Sequence, residues 1–501
     1  MKDILVTSQG LPRSSPESVG IASEHITAFL QKLQDAQYDI HSLQIIRHGR
    51  LIFSGAAAPY TLQSPHRMLS AAKAIIAAGV LFAIDEGKLS MEEPVAPWFS
   101  DLLPENPDPR LMRMTLYDLL TMQTGQETDD AFMHFLTHQD DDLCRNFFHT
   151  AWNTEPGTHF FYNNSVPHIL FSITERAVGR AFMDYLNEKL CRPLDMTITA
   201  QNDLRGVYDP VTTVMSSDDF LRLTLWFLQE GSWNGQQLIA PELIRMACTQ
   251  QTFSGNGEGG YRNGNGYCMQ LWKNVFGGVR MDGGGVQEGL ILPEHDMAVA
   301  IMCNASDGEF CLRSFYEEVL AKVSGKPLPE NPHAETILEK AIQGMSRAPK
   351  NVSSHSECES DFSQTHVFIE NRCGLEQLSL VREADHLLLC VTAHGAKHDF
   401  RIGLNGCWEE NPTHVLVTPD TSIQNQIYGS DPNHCFASGG WKNDRLFLFT
   451  LKSVASMGEY RFQILWSEQV MEVDIPEAVS GGMLKEPTCF HAVSVRKEGA
   501  P

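Results

Sequence analysis

Long apolar runs, closely spaced cysteines and an excess of positive charge are all missing from this chain of 501 residues. Its longest apolar stretch, Ala71 to Ile84, is interrupted by Lys73 and is shorter than the about 20 residues a membrane-spanning helix needs. It reads as a buried helix. The opening residues offer only Ile4, Leu5 and Val6 as an apolar run, too short for an export signal. Twelve cysteines are scattered without a CxxC pair, and the nearest two, Cys303 and Cys311, are eight positions apart. A zinc site and a dense disulfide scaffold are therefore not expected, and the pattern suits a reducing, cytoplasmic setting. Acidic side chains outnumber basic ones by 62 to 38, for a formal charge of -24. Such a charge repels phosphate backbones and anionic lipid surfaces over a Debye length. Neither nucleic acid nor membrane is expected as a partner.

Two catalytic signatures are absent as well, the GxSxG elbow and the HExxH pair. A literal GxGxxG does occur at Gly255-Asn-Gly257-Glu-Gly-Gly260. It runs into Tyr261-Arg-Asn-Gly instead of an apolar helix, so it lacks the context of a dinucleotide site, and no cofactor is expected.

What remains is an ordinary globular composition, 42% hydrophobic and 20% charged, in a chain long enough for two or three domains. Ile26, Phe29, Leu30 and Leu33 share one helical face, and SLQIIR and LIFSG flank His48-Gly49-Arg50 as a hairpin. Ser70 to Glu86 reads as a central helix capped by Gly87. GLIL and MAVAIM flank Pro293 to Asp296 as a second hairpin, with a helix from GEFCLRSFYEEVLAKV after it. Helices on an antiparallel sheet follow from this order, an α/β (α+β) class, over residues 1–325. Residues 326–364 read as a linker with one short amphipathic helix. From 365 to 501 short alternating segments such as Arg461-Phe-Gln-Ile-Leu-Trp466 predict a second, all-β domain of barrel type that supplies no catalytic residue. His398, His434 and Glu409 are the polar residues there that could form a separate site.

Ser70-Ala-Ala-Lys73 opens the central helix. A spacing of i to i+3 brings amine and hydroxyl onto one face, at a helix end that offers free N–H groups. A serine nucleophile with a lysine base fits that geometry. Ser494-Val-Arg-Lys497 matches the same spacing, but there the lysine reads as exposed, whereas Lys73 sits in apolar surroundings that disfavour a charged amine.

The stretch HRMLSAAKAIIAAGVLFAIDEGKLSMEEPV, with MTLYDLLTMQTG after it, resembles the serine β-lactamase and penicillin-binding-protein superfamily, most of all class C β-lactamases and their esterase and peptidase relatives. The resemblance extends from about Leu11 to Val323. It implies a Tyr-x-Asn motif facing Ser-x-x-Lys, and Tyr162-Asn-Asn164, led in by Pro156-Gly157 and two phenylalanines, is the candidate. Tyr185-Leu-Asn187 and Tyr261-Arg-Asn263 lack that lead-in and read as structural. The third motif, Lys-Thr-Gly or His-x-Gly, is replaced within Arg280-Met281-Asp282-Gly283-Gly284-Gly285. Its first position is Met281 if Gly283 is the motif glycine, the favoured register, and Gly283 if Gly285 is. Either way the cation is missing.

The resemblance implies that Ser70 attacks a carbonyl, Lys73 accepts its proton, Tyr162 is the second acid–base group and Asn164 holds Lys73 and the substrate. It also implies an oxyanion site at the N–H groups of Ser70 and Gly284, beside Gly283. The substrate expected is a small ester or amide. Asp282 is expected to repel substrate carboxylates, by about 4 kcal/mol for unit charges 4 Å apart at an effective dielectric of 20. The alternatives are a D-amino-acid peptidase or penicillin-interacting enzyme, or a catalytically silent binding protein.

Overall fold

The computed structural model describes residues 10–138, 141–200, 205–255, 260–262, 266–371, 374–411, 435–454, 458–467, 469–480 and 491–495. Ile26, Phe29, Leu30 and Leu33 are buried along one face of α1 (Ser23–Asp35). The hairpin follows as β1 (Ile40–Arg47) and β2 (Arg50–Ala56), with Arg47 opposite Arg50. Then comes α2 (Ala72–Asp85), in which every residue from Ala72 to Ala83 is buried, Lys73 included. Gly87, at a φ of 68°, donates its N–H to the Ile84 carbonyl and closes the last turn.

Between α2 and the rest of the sheet lies a helical region that contributes α3 (Asp130–Thr137), α4 (Val166–Val178) and α5 (Ser217–Leu228). The chain then returns as β3 (Trp272–Lys273), β4 (Val279–Gly283), β5 (Gln287–Leu292) and β6 (Met297–Cys303). The sheet runs β2-β1-β6-β5-β4-β3 and is antiparallel throughout. β1 and β6 are buried at every position, so side chains on both sheet faces are covered. On one of them α5 lies along β5 and β6. α6 (Gly308–Glu318) packs on α1, where Phe29 and Phe315 meet edge to face at 5.5 Å. The short helix expected in the linker is α7 (Pro332–Gln343), with Ala334, Leu338 and Ile342 buried.

Contacts divide the chain into two units. The first reaches to Ala56 and resumes as Arg67–Cys303 and Asp307–Ile342; the second is made of Ala57–His66, Asn304–Ser306 and the chain from Gln343 onward. In the second unit β7 (His366–Val367), β8 (Leu375–Glu383), β9 (His386–Ala393), β10 (Ala396–Gly403), β11 (Glu409–Asn411), β12 (Cys435–Asn443), β13 (Leu446–Ser453), β14 (Gly458–Ser467), β15 (Val470–Ser480) and β16 (His491–Val493) form one sheet. Its order is β7-β8-β9-β10-β12-β13-β14-β15-β16, with β11 on β12. The sheet curls until its ends meet, because Ile369 donates to Val493 and Val495 donates to Val367. That pairing removes the two outer edges. Phe462 and Ile464 point inward from β14, as the alternation predicts, and Phe462 stacks on Phe449 at 4.3 Å.

Gly79 lies inside α2, and a Cβ there would stand 2.5 Å from the Phe182 ring. Alanine is the better helix former by about 1 kcal/mol, but overpacking a tight core costs about 1–3 kcal/mol. Gly79→Ala is therefore expected to lower the melting temperature, and Phe182→Leu in the same chain to restore part of it. Thermal unfolding of the three proteins checks this.

Candidate active site

Ser70 occupies the middle of a single 3-10 turn, Leu69–Ala71, that runs straight into α2. The turn is anchored by Met68, whose N–H donates to the Thr213 carbonyl at 2.8 Å. Leu69 has a φ of 48°, a left-handed conformation that branched L side chains rarely adopt. Such strain costs on the order of 1–3 kcal/mol and persists only where the surroundings enforce it. Lys73 follows one turn on, and its Nζ donates to Ser70 Oγ at 3.1 Å and to Asn164 Oδ1 at 2.9 Å. The same Nζ lies 4.8 Å from the centroid of the Tyr162 ring. Ser70, Lys73, Tyr162 and Asn164 are thus brought together.

Residues 162–164 reach α2 because the loop beneath them is pinned. Gly157, at a φ of 79°, donates to Gln123, and Phe161 donates to Met122. The buried Asn163 side chain donates to Thr128 O and accepts from Ser165 N. Tyr162 stacks on Trp272 at 5.4 Å and meets the edge of Tyr267 at 6.1 Å. Lys73 faces its ring, and among the described residues no hydrogen bond joins the Tyr162 hydroxyl to Ser70 or Lys73. Asn164 is held in turn by Asp129, whose carboxylate accepts from its backbone N at 2.8 Å and from its Nδ2 at 2.7 Å. Burial pushes the Asp129 carboxyl above the usual carboxylate range, against the pull of the Asn164 bonds and of Lys73.

Across the turn, β4 ends on Gly283. A Cβ there would stand 2.3 Å from the Met68 carbonyl oxygen and 3.3 Å from Ala71 Cβ, and one at Gly284 would stand 2.9 Å from Leu69 Cδ1. Only glycines let this strand end lie against the Ser70 turn. Val286 donates back to Gly283 at 3.1 Å, with Gly285 and Val286 both at positive φ, 73° and 69°.

Asp282 behaves differently from the expectation that it presents a bare carboxylate to the substrate. Strand residues alternate between faces, so Asp282 and Arg280 project from the opposite face to Gly283. Asp282 takes a two-pronged bond from Arg262, at 2.7 and 3.2 Å, and two further bonds from Arg280, at 2.9 and 3.1 Å. Burial works to raise its pKa, but the two guanidiniums outweigh burial and hold the carboxyl below its ordinary range. Its charge is spent inside the protein, and the argument for repulsion of substrate carboxylates falls with it. Glu288, opposite Asp282 across the ladder, is fully buried and is pushed well above its usual range by burial and by Asp282.

Residues 26–322, more than half of the chain, match the Beta-lactamase family. The chain belongs to the Beta-lactamase family. Two solved structures share the fold of this β-lactamase-like unit. One is a "putative beta-lactamase" from Bacteroides dorei DSM 17855, with a TM-score of 0.50 and 16% identity, covering 60% of this chain and 98% of that one. The other is a "putative 6-aminohexanoate-dimer hydrolase" from Bacillus anthracis, with a TM-score of 0.50 and 18% identity, covering 63% and 88%. A curated relative, the "putative fimbrial assembly protein FimD, serogroup D" of Dichelobacter nodosus, is 30% identical over 128 residues, 25% of this chain. The match spans 32% of that relative's length.

Within the β-lactamase-like unit, Tyr185 is buried and donates to Glu86 at 3.2 Å, a packing role. His398 and Glu409 stand on β10 and β11. Gly257, Asn263, His434 and Lys497 lie outside the described residues. Two groups of described residues bring possible metal-ligand atoms within 4.8 Å of one another, Glu17 with Glu330 and Glu335, and Glu472 with Asp474 and His491; neither includes a residue of the Ser70 site. Sequence reasoning missed Asp129, Trp272 and the two arginines. The arginine at position 280, two residues before Asp282, was the available signal, because i and i+2 share a strand face.

Gly283→Ala is expected to disrupt the Ser70 turn, because the clash falls on a backbone oxygen that no rotamer change can move. Covalent labelling of Ser70 by a fluorophosphonate, followed by intact mass, should drop sharply. Gly325→Ala, at a position with open space around it and no left-handed backbone, should retain labelling and serves as the comparison.

Proposed function

We propose that this chain is a serine hydrolase that forms an acyl-enzyme at Ser70 and acts on small neutral or cationic carboxylic esters or amides. Ser70 Oγ attacks the substrate carbonyl while Lys73 Nζ takes the hydroxyl proton. The negative charge that develops on the carbonyl oxygen is met by the N–H groups of Ser70 and Gly284. Tyr162 is the second acid–base group, protonating the leaving group and activating the water that releases the acid. Its ring already lies against Lys73, and hydrogen bonds of this kind tighten when substrate binds. Asn164 holds Lys73 and the substrate's polar edge. The barrel supplies no reacting group.

The observation that carries this reading is the bonded set Ser70–Lys73–Asn164, in which a buried amine has one hydroxyl and one amide oxygen as acceptors. A preference for substrates without a carboxylate rests on Met281. Its Cε fills the space in front of Gly289 that Phe220 and Thr224 also border, and no lysine or histidine stands at that motif position to receive an anion.

Ser70→Ala is expected to abolish turnover of p-nitrophenyl esters and all labelling by a fluorophosphonate. Lys73→Ala should cost on the order of 10²–10⁴ in rate. Retained turnover in Ser70→Ala would overturn the reading, and a long-lived penicillin adduct with no ester turnover would move it to a penicillin-interacting enzyme.

A further inference from the structure

We propose that Asp129 is the positioning residue that fixes which way round the Asn164 amide stands, so that proton uptake by Asp129 disables Lys73 as the base; this rests on the serine hydrolase reading above. An asparagine side chain presents two ends of nearly the same shape, an accepting oxygen and a donating NH2. Only its environment decides between them. Lys73 needs an acceptor beside it, and Asn164 Oδ1 fills that role at 2.9 Å. The other end of the amide faces Asp129 Oδ2 at 2.7 Å, while Asp129 Oδ1 takes the Asn164 backbone N–H at 2.8 Å. An ionised carboxylate can only accept. It therefore forces Nδ2 toward itself and Oδ1 toward Lys73.

A protonated Asp129 loses this power, because its hydroxyl can donate to Oδ1 with the amide turned over. Nδ2 would then face Lys73. Against an ammonium that contact is repulsive, and against a neutral amine it occupies the lone pair that the Ser70 proton must reach. Both outcomes stop proton removal from Ser70. The charged groups that act on Asp129 are Lys73 on α2, which favours the ionised form, and Asp130 at the start of α3, which opposes it. Burial also opposes ionisation, so the carboxyl titrates above the usual range for aspartate.

Asp129→Asn keeps the shape and allows hydrogen bonds in either sense, which removes only the acceptor-only constraint. In the full-length chain kcat/KM for a p-nitrophenyl ester should fall on the order of tenfold to a hundredfold. The acid limb of the wild-type pH profile should flatten with it. Asp129→Glu, acceptor-only like the original, should recover part of the rate and keep an acid limb. A variant Asp129→Asn with the wild-type rate and an unchanged acid limb would overturn the proposal.

Thermal unfolding gives a readout that needs no turnover. A carboxyl held above its unfolded value contributes stability below that value and loses it as pH rises through the folded one. The melting temperature of Asp129→Asn relative to wild type should therefore shift in the variant's favour as pH rises. A difference that stays constant with pH contradicts the proposal even if no ester is turned over. Turnover retained in Ser70→Ala, by contrast, would sink the hydrolase reading and not the titration of Asp129.

Discussion

An amine buried in an apolar helix must be given acceptors, and the first unit is organised around meeting that demand for Lys73. An unpaired buried charge costs several kcal/mol. One acceptor, Ser70 Oγ, comes from the turn that begins the same helix, where the preceding residue, Leu69, takes up a left-handed φ. The second, Asn164 Oδ1, arrives from a loop ninety-one residues away in sequence. The ring face of Tyr162 adds the attraction of its π electrons for a cation. The loop is held by the buried Asn163, by Asp129 and by the bonds of Gly157 and Phe161. Each of these anchors has a local purpose, and together they decide where the amine and the hydroxyl meet.

A second demand is set by strand geometry. The end of β4 lies against the Ser70 turn, and there a single Cβ at Gly283 would stand 2.3 Å from the Met68 carbonyl oxygen. The glycine run answers that demand. Alternation then dictates the rest of the strand, with Met281 and Gly283 on the face toward α5 and the Ser70 turn, and Arg280 and Asp282 on the other. Two guanidiniums and one carboxylate would leave excess positive charge, and Glu288 stands beside them as a fourth group. Burial and Asp282 push the Glu288 carboxyl well above its usual range, against the pull of Arg280, 3.5 Å away, and of Arg262. The cluster joins a surface loop, through Arg262, to the interior of the sheet.

Much of this was legible from residue order. The period of the apolar residues in α1, the all-apolar face of α2 broken only at Lys73, both hairpins of the first sheet and the alternation in β14 each follow from one local rule, and the family match and the fold agree with them. The Ser-x-x-Lys spacing and the Pro-Gly lead-in to Tyr162 likewise pointed to side chains that do meet. What could not be read was direction and partnership across long separations. Asp282 carries a charge that composition counts as free, yet its partners Arg262 and Arg280 were visible only once the strand face was known. Asp129 lies thirty-five residues from Asn164 in sequence, and no local spacing rule connects the two. Likewise, Ala57–His66 and Asn304–Ser306 join the second unit with no break in composition to announce it.

In the favoured register of the third motif, Met281 stands where the family pattern has a cation, and this bears on the electrostatics of the proposed site. Met281 is itself buried, and its Cε fills the space in front of Gly289 that Phe220 Cζ and Thr224 Oγ1 also border. The two arginines nearest in the strand order do not compensate, because Asp282 holds both of them on the opposite face. Lys73 is the one basic side chain bonded to Ser70 among the described residues, and its hydrogen bonds already go to Ser70 and Asn164. An approaching anion would also meet the field of a chain with a formal charge of -24, which opposes it over a Debye length of about 8 Å at physiological salt. Long-range field and local lining act in the same sense. In the proposed hydrolase, discrimination against carboxylates would thus follow from the absence of an attractive partner, without a repulsive contribution from Asp282.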